Sequence, residues 1–427
     1  MNERNKKIFW WSAYDFANSL AFINISFYFA LWYVTDIGGQ PSWISFAVVS
    51  ATILLLLTLP PLGNLSDHLH RRMPFLIFFT LAAIGSLLFM GILAIQPGAS
   101  GMVLQILILY FLFQYFYQGS LAFYDGFLRD LGSNRMTEKI SGLGMAAGQI
   151  GNVIGIMLVF PVAAGAIHFM GLSGRSATFI IAALLYLVFV LPVLFHLKDK
   201  PHPDHGNTAA SGSHNPFAST INDLKNIHRY PGLLNYLITY YLFADALLTL
   251  QLFATLYADL VFGLTDIEKV LVSIFALLMA TLGAFISPRI VSLFKSTRKT
   301  ISFFIGSWAL LLIFLAMAFD KPMFILLTIL NGFAFGVLFS LSRAYFAEIV
   351  PANRQSQYFS IYVLFERFAS VLGPVVWSAT LILFSASGIV KYRYAMISLG
   401  LLVVISFIVF QFGADPKLEK AKLSQEE

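Results

Sequence analysis

Apolar runs of about twenty residues recur some twelve times along the chain, each closed off by charge, proline or glycine. They begin near Ile8, Trp43, Pro74, Met102, Lys139, Ser176, Leu233, Ile267, Thr300, Pro322, Ser356 and Tyr392. At 1.5 Å rise per residue, a helical run of about 20 residues crosses the roughly 30 Å hydrocarbon core of a bilayer. Inside lipid every backbone amide must be satisfied within the protein, which leaves helices and closed barrels. The expected class is an all-α membrane protein with twelve transmembrane helices. Only 11% of the residues are charged, against about 25% in a soluble domain, so most of the chain must face lipid or buried protein. The first run is too long for a signal-peptide core and lacks a small-residue cleavage site, so it is expected to be retained. With no cysteine, disulfides, thiolate metal sites and thiol nucleophiles are excluded.

An even number of spans puts both termini on one side. If that side is the cytoplasm, 21 of the 27 Lys and Arg residues fall in inner segments, and only Arg175, Lys269, Lys321, Lys391 and Arg393 in outer loops. The positive-inside rule accounts for this bias. It also accounts for the net charge of +6 without any nucleic-acid partner.

Six spans end near Leu197, and a polar segment rich in Lys, His, Pro, Asn, Ser and Gly separates them from six more. The expected organisation is an N-terminal six-helix bundle (1–197), a cytoplasmic linker (198–231) and a C-terminal six-helix bundle (232–427). Five of the eight histidines lie in or beside the linker, but their spacing matches no zinc template. Shifting the second half by about 219 or 220 residues aligns Gly63 with Gly283, Asn134-Arg135 with Asn353-Arg354 and Ser141 with Ser360. This reads as a diverged parallel duplication, an arrangement that binds substrate between its halves and rocks to alternate access.

Polar residues inside the spans fall in stripes. In the first span Asp15, Asn18, Ser19, Phe22 and Ser26 lie at helical spacing on one face, and intramembrane carboxylates normally turn to a bundle interior or an aqueous cavity. The fourth span carries Gln114, Tyr117, Gln118 and Asp125, the seventh Tyr241, Asp245 and Thr249, and the tenth Asn331 and Ser342. Aromatic faces beside acids and amides suit an amine or a zwitterion. Asp245 is the deepest carboxylate, about 18 Å from the inner end at 1.5 Å per residue, and is expected to bind a proton or a substrate amine. Asp15 lies near 10 Å by the same rise. The candidate substrate or proton site is therefore Asp15, Asn18, Gln114, Gln118, Asp245, Tyr241 and Asn331. Asp125 and Arg129, near the inner end of the fourth span, are expected to form a gate pair. Glu366 and Arg367 are adjacent and point to different faces, so each needs another partner.

The stretch Gly63-Asn64-Leu65-Ser66-Asp67-His68-Leu69-His70-Arg71-Arg72 resembles the loop signature of the major facilitator superfamily, with His70 where Gly is usual. The resemblance implies a conformational switch built on Gly63, Asp67 and Arg71. Tyr14-Asp15-Phe16-Ala17-Asn18-Ser19 looks like the hallmark of the vacuole-effluxer-like permeases. Phe123 to Leu128, Ala244-Asp245-Ala246, Leu341-Ser342-Arg343 with Pro351, and Gly373-Pro374 resemble further patterns of that family. It departs at Ala246, Asp125 and Arg129, where the family has Gly, Asn and Pro.

What the resemblance implies is a major facilitator fold, two six-helix bundles with parallel pseudo-two-fold symmetry. The implied function is transport of small metabolites, chiefly amino acids, with proton coupling left open. Gate or switch roles then fall to Gly63, Asp67, Arg71, Asp125, Arg129, Arg343, Glu366 and Arg367. Export of apolar or amphiphilic compounds is the alternative, ahead of a receptor or a membrane enzyme. No phosphate-binding loop, zinc-type His/Glu pair or Ser elbow occurs, so no catalytic residue, metal or cofactor is expected. The expected partners are a small solute, possible coupling protons and the lipid bilayer, for a monomer in a bacterial inner membrane with both termini cytoplasmic.

Overall fold

The computed structural model describes residues 3–69, 71–131, 134–169, 171–199, 231–350, 361–362, 365–366 and 368–413; among these, the side chains of 3, 64, 67, 68, 128–131, 134–139, 141, 142 and 231 are not described. The described residues hold twelve α-helices. They are α1 (Glu3–Thr35), α2 (Pro41–His68), α3 (Met73–Ala94), α4 (Val103–Leu131), α5 (Asn134–Ala163) and α6 (Ala177–His196). They continue as α7 (Pro231–Phe262), α8 (Asp266–Phe294), α9 (Thr297–Met317), α10 (Lys321–Ile349), α11 (Leu372–Leu383) and α12 (Val390–Phe412). Eleven are long and apolar enough to cross a membrane, and α11, with 12 residues, is shorter. The helix starts follow the apolar runs to within a few residues except at the eleventh span. There the expected start near Ser356 lies outside the described residues; 361–362, 365–366 and 368 are helical, the helix breaks over 369–371, and α11 follows from Leu372.

Two compact units divide the chain, Met1–Pro216 and Phe217–Glu427. Apart from Lys198, Asp199 and Pro231, the expected linker over 198–231 lies outside the described residues. In the first unit α1 packs on α5 and α6, α3 on α4 and α6, and α2 on α4. In the second, α7 packs on α11 and α12, α9 on α10 and α12, and α8 on α10. Adding six to each label of the first set gives the second, which is the packing signature of a duplicated six-helix unit. The outward faces carry large apolar side chains such as Phe46, Phe78, Phe195, Phe285 and Leu293, all more than half exposed. Water would not tolerate so much bare hydrocarbon, and lipid does.

Close approach is set by glycine. In the first unit Gly151 and Gly155 of α5 lie against the Phe16 and Leu20 carbonyls of α1, where a Cβ would overlap backbone. In the second, Gly332 and Gly336 of α10 lie against the Ala276 and Ala280 carbonyls of α8. Without a strong hydrophobic drive between helices in lipid, such small-residue seams let dispersion and Cα–H contacts hold the bundle.

Two polar devices fasten helix ends. The backbone amides of Arg72 and Met73 donate to Asp199 Oδ1 at 3.0 and 3.2 Å, so a carboxylate just beyond α6 caps α3. Asp199→Ala is expected to cost about 1 kcal/mol, the usual worth of a cap, read as a lower thermal midpoint of the purified protein; an unchanged midpoint would show that water replaces the carboxylate. In the second unit, Lys269 in the first turn of α8 is nearly fully buried and bridges Asp259 of α7 at 2.6 Å and Asp266 at 2.8 Å.

Candidate functional site

In the first unit the polar stripe of α1 meets α4 and α5. Asn18 is buried and accepts from the Tyr117 hydroxyl of α4 at 3.2 Å, while its amide donates to Asp15 Oδ1 at 3.4 Å. Asp15 sits at the glycine face of α5. A Cβ on Gly144 would lie 3.2 Å from Asp15 Oδ2, and one on Gly148 would lie 2.9 Å from Ser19 Oγ. The glycines therefore make the room that the carboxylate occupies. Beside it Trp11, Tyr124 and Tyr14 form a continuous stack, with ring centroids 4.6 and 4.7 Å apart. The Tyr14 hydroxyl meets Thr80 Oγ1 at 2.7 Å, whereas the buried Tyr124 hydroxyl has no hydrogen-bond partner among the described residues.

Gln114 and Gln118 share the face of α4 but serve other neighbours. Gln114 donates to the Tyr110 hydroxyl at 2.7 Å, and Gln118 reaches Thr52 of α2 at 3.5 Å. Thus Asp15, Asn18 and Tyr117 form one connected group, and the two glutamines stand outside its hydrogen bonds.

In the second unit Asp245 is fully buried in α7, and among the described residues neither carboxyl oxygen has a hydrogen-bond partner. Gly373, at the start of α11, is its close neighbour: a Cβ there would lie 2.9 Å from Asp245 Oδ1. Tyr241, one turn earlier on α7, is half-buried, and its hydroxyl also acts on this carboxyl. Asn331 is buried but engaged elsewhere, accepting from the Trp308 indole of α9 at 2.8 Å. Asn331→Leu would leave that buried N–H unpaired, an expected loss of about 1–3 kcal/mol, visible as a lower midpoint followed by tryptophan fluorescence. An apolar crevice lined by Phe243, Leu247, Trp308, Phe335 and Leu338 touches none of the acids.

The gate residues sort differently. Glu366 of the eleventh span meets Arg343 of α10, with Oε2 to Nη2 at 3.4 Å and both side chains part-exposed. Beside them the rings of Tyr240 and Tyr362 lie 4.4 Å apart. Gly63 and Asp125 are half-buried, and Arg71 is exposed. Its neighbour Arg72 instead reaches α4, donating to the Gly126 carbonyl at 2.8 Å. The side chains of Asp67 and Arg129, and residue Arg367 altogether, lie outside the described residues. So do Arg135, Asn353, Arg354 and Ser360 of the duplication alignment, apart from the helical backbone of Arg135. No cluster of three potential metal ligands occurs among the described residues. Arg72, Asp199 and Trp308 were not singled out by sequence, because each acts on a partner more than twenty positions away.

Comparison with known proteins gives a consistent picture. The family described as "Vacuole effluxer Atg22 like" matches residues 41–422. An uncharacterized MFS-type transporter of Bacillus subtilis, YxiO, is 25% identical over 94% of this chain and 93% of its own length. Autophagy-related protein 22 of Cryptococcus neoformans is 25% identical over 68% of this chain but only 54% of its own, so the chain spans about half of that fungal relative. Among solved structures, the nucleoside transporter NupG superposes with a TM-score of 0.72 at 16% identity, covering 94% of this chain and 98% of its own. A D-xylose–proton symporter gives 0.68 at 13% identity over 97% and 98%. At these identities the likeness concerns fold, and the fold is the major facilitator fold.

Proposed function

The chain belongs to the vacuole effluxer Atg22-like family, and from that premise we propose a secondary transporter of small metabolites, chiefly amino acids, that works by alternating access. The coarser part, a membrane transporter of the major facilitator type, has the support of the family, the bacterial relative and the fold. The finer part, the substrate class, rests on one observation: a fully buried carboxyl, Asp245, whose oxygens close no hydrogen bond among the described residues, in the first helix of the second unit. Burying a charge without partners costs several kcal/mol, so such a group persists only where it has work to do, and a bundle interior is where intramembrane acids do it. Asp15 with Asn18 and Tyr117 supplies a second polar anchor in the other unit.

In this reading the segments 1–197 and 232–427 are the two moving bundles, 198–231 is a cytoplasmic linker, and the Arg343–Glu366 pair opens and closes at the inner end of its own unit. The basic bias of the inner segments supports cytoplasmic termini, and a bacterial inner membrane is the location in this reading.

The test is solute flux into proteoliposomes, preceded by thermal stabilisation of the purified protein across amino acids, peptides, polyamines and lipids. An amino acid that raises the midpoint of the wild type and not of Asp245→Asn supports both the substrate and the site, since a ligand stabilises only the state it binds. Equal stabilisation of both removes Asp245 from the site. Stabilisation by an apolar compound alone transfers the assignment to export of amphiphiles.

A further inference from the structure

The eleventh span is interrupted. Gly373-Pro374 explains where: a proline has no N–H to continue the helix, and its ring excludes the helical carbonyl four residues earlier. The chain accordingly leaves the helix at Ala369, whose amide is shared between the Phe365 and Glu366 carbonyls at 3.1 and 3.3 Å. Ser370 turns back to Phe368 at 2.7 Å, and the helix resumes as α11 at Leu372. A helix that starts afresh exposes first-turn amides that need an acceptor. The N-cap residue here, Val371, offers no side-chain acceptor.

What lies over this helix start is the Asp245 carboxyl. Gly373 lets it approach, since a Cβ there would overlap Thr249 Oγ1 as well as crowd Oδ1. The amides of Leu372 and Gly373 and the Tyr241 hydroxyl act on the carboxyl, yet none closes a hydrogen bond of good geometry. As an anion Asp245 gains from the helix N-terminus but is stripped of water; as a neutral acid it escapes that desolvation and gives up its hold on α11.

We propose that Asp245 is a proton-binding site that caps the interrupted eleventh span, so that protonation frees the start of α11 from α7 and deprotonation docks it. The inference rests on the reading of Asp245 as a working group of the transporter. Other charges do not compete for it among the described residues. On α10, Arg343 is engaged by Glu366 of the eleventh span, and Glu348 and Tyr345 lie further toward the inner end of that helix. On α12, Arg393 donates to the Ala316 and Ala318 carbonyls, and Lys391 lies over the Tyr392 ring. Tyr240 of α7 stacks near Tyr362, and α11 itself carries no titratable side chain. Tyr241 is the titratable group that acts on the carboxyl.

The experiment is infrared difference spectroscopy of the full chain in lipid nanodiscs between acid and alkaline pH, paired with amide hydrogen exchange over residues 369–376. The expected result is a carboxylic-acid band that disappears on alkalinisation in the wild type and is missing in Asp245→Asn. Corrected for the intrinsic pH dependence of amide exchange, protection at the start of α11 should fall about tenfold on acidification in the wild type and stay low at both pH values in the variant. Tyr241→Phe, which keeps the acid, should move the pH at which the band is lost, and it serves if Asp245→Asn fails to fold. Absence of a titrating band, protection that ignores pH, or a band unmoved by Tyr241→Phe would each overturn the proposal. No solute is involved, so a titrating band with no flux would sink the transport reading and leave the proton site standing.

Discussion

Gly336→Leu is expected to yield no monodisperse folded protein. At this position of α10 an added Cβ would overlap the Ala280 carbonyl of α8 and lie 2.6 Å from its carbonyl carbon. Backbone cannot swing aside as a flexible side chain can, so the two helices must separate along the seam that Gly332 also forms. Overpacking of an ordinary core costs about 1–3 kcal/mol, and prying apart a backbone-to-backbone contact exceeds it against a total stability of only some 5–15 kcal/mol. The check is size-exclusion elution of detergent extracts beside Gly85→Leu, whose Cβ would meet nothing within 4 Å. A monodisperse Gly336→Leu protein with an unaltered midpoint would refute the seam.

Lys269→Met should give the next largest loss. The ammonium is almost wholly buried and holds Asp259 and Asp266, whose side chains are about a quarter exposed. Removing it leaves two carboxylates facing each other beside the start of α8. Breaking a buried pair costs about 3–5 kcal/mol, and the partial exposure of the acids lowers that to roughly 2–3 kcal/mol. The loss should shrink in Lys269→Met combined with Asp259→Asn, because the repulsion goes with the acid. Additive losses in that double variant would mean that the three groups are not coupled.

The spans were legible because length and apolarity are properties of the local sequence, and a helix in lipid needs no partner to be satisfied. Helix faces were legible for the same reason: the 3.6-residue period puts Asp15 and Asn18 on one stripe, and the structure joins them. Partners across space were not. Gln114 and Gln118 share a face with Tyr117, yet they bond Tyr110 and Thr52, because a stripe wider than one neighbour meets several. The break in the eleventh span is written in Gly373-Pro374, but a family pattern at that pair says nothing by itself of a helix stop. That Asp245 lies over the resulting helix start depends on how α7 and α11 pack, which no periodicity encodes. Asp199 was hidden by its place in a polar segment, where one more acid carries no pattern.

The tight glycine contacts also fall at different places in the two units. In the first, Gly151 and Gly155 of α5 lie on the backbone of α1; in the second, Gly332 and Gly336 of α10 lie on that of α8, while the counterpart of the α1–α5 pair is α7 against the interrupted α11, approached closely by Gly373 at the helix start. Mechanically, the same topological seam is a weld in one unit and a joint in the other. A force that shears both units equally would be borne rigidly by α1 and α5 and would yield at residues 369–371. Compliance in this duplicated architecture is therefore lopsided, and it is concentrated beside the buried carboxyl of Asp245.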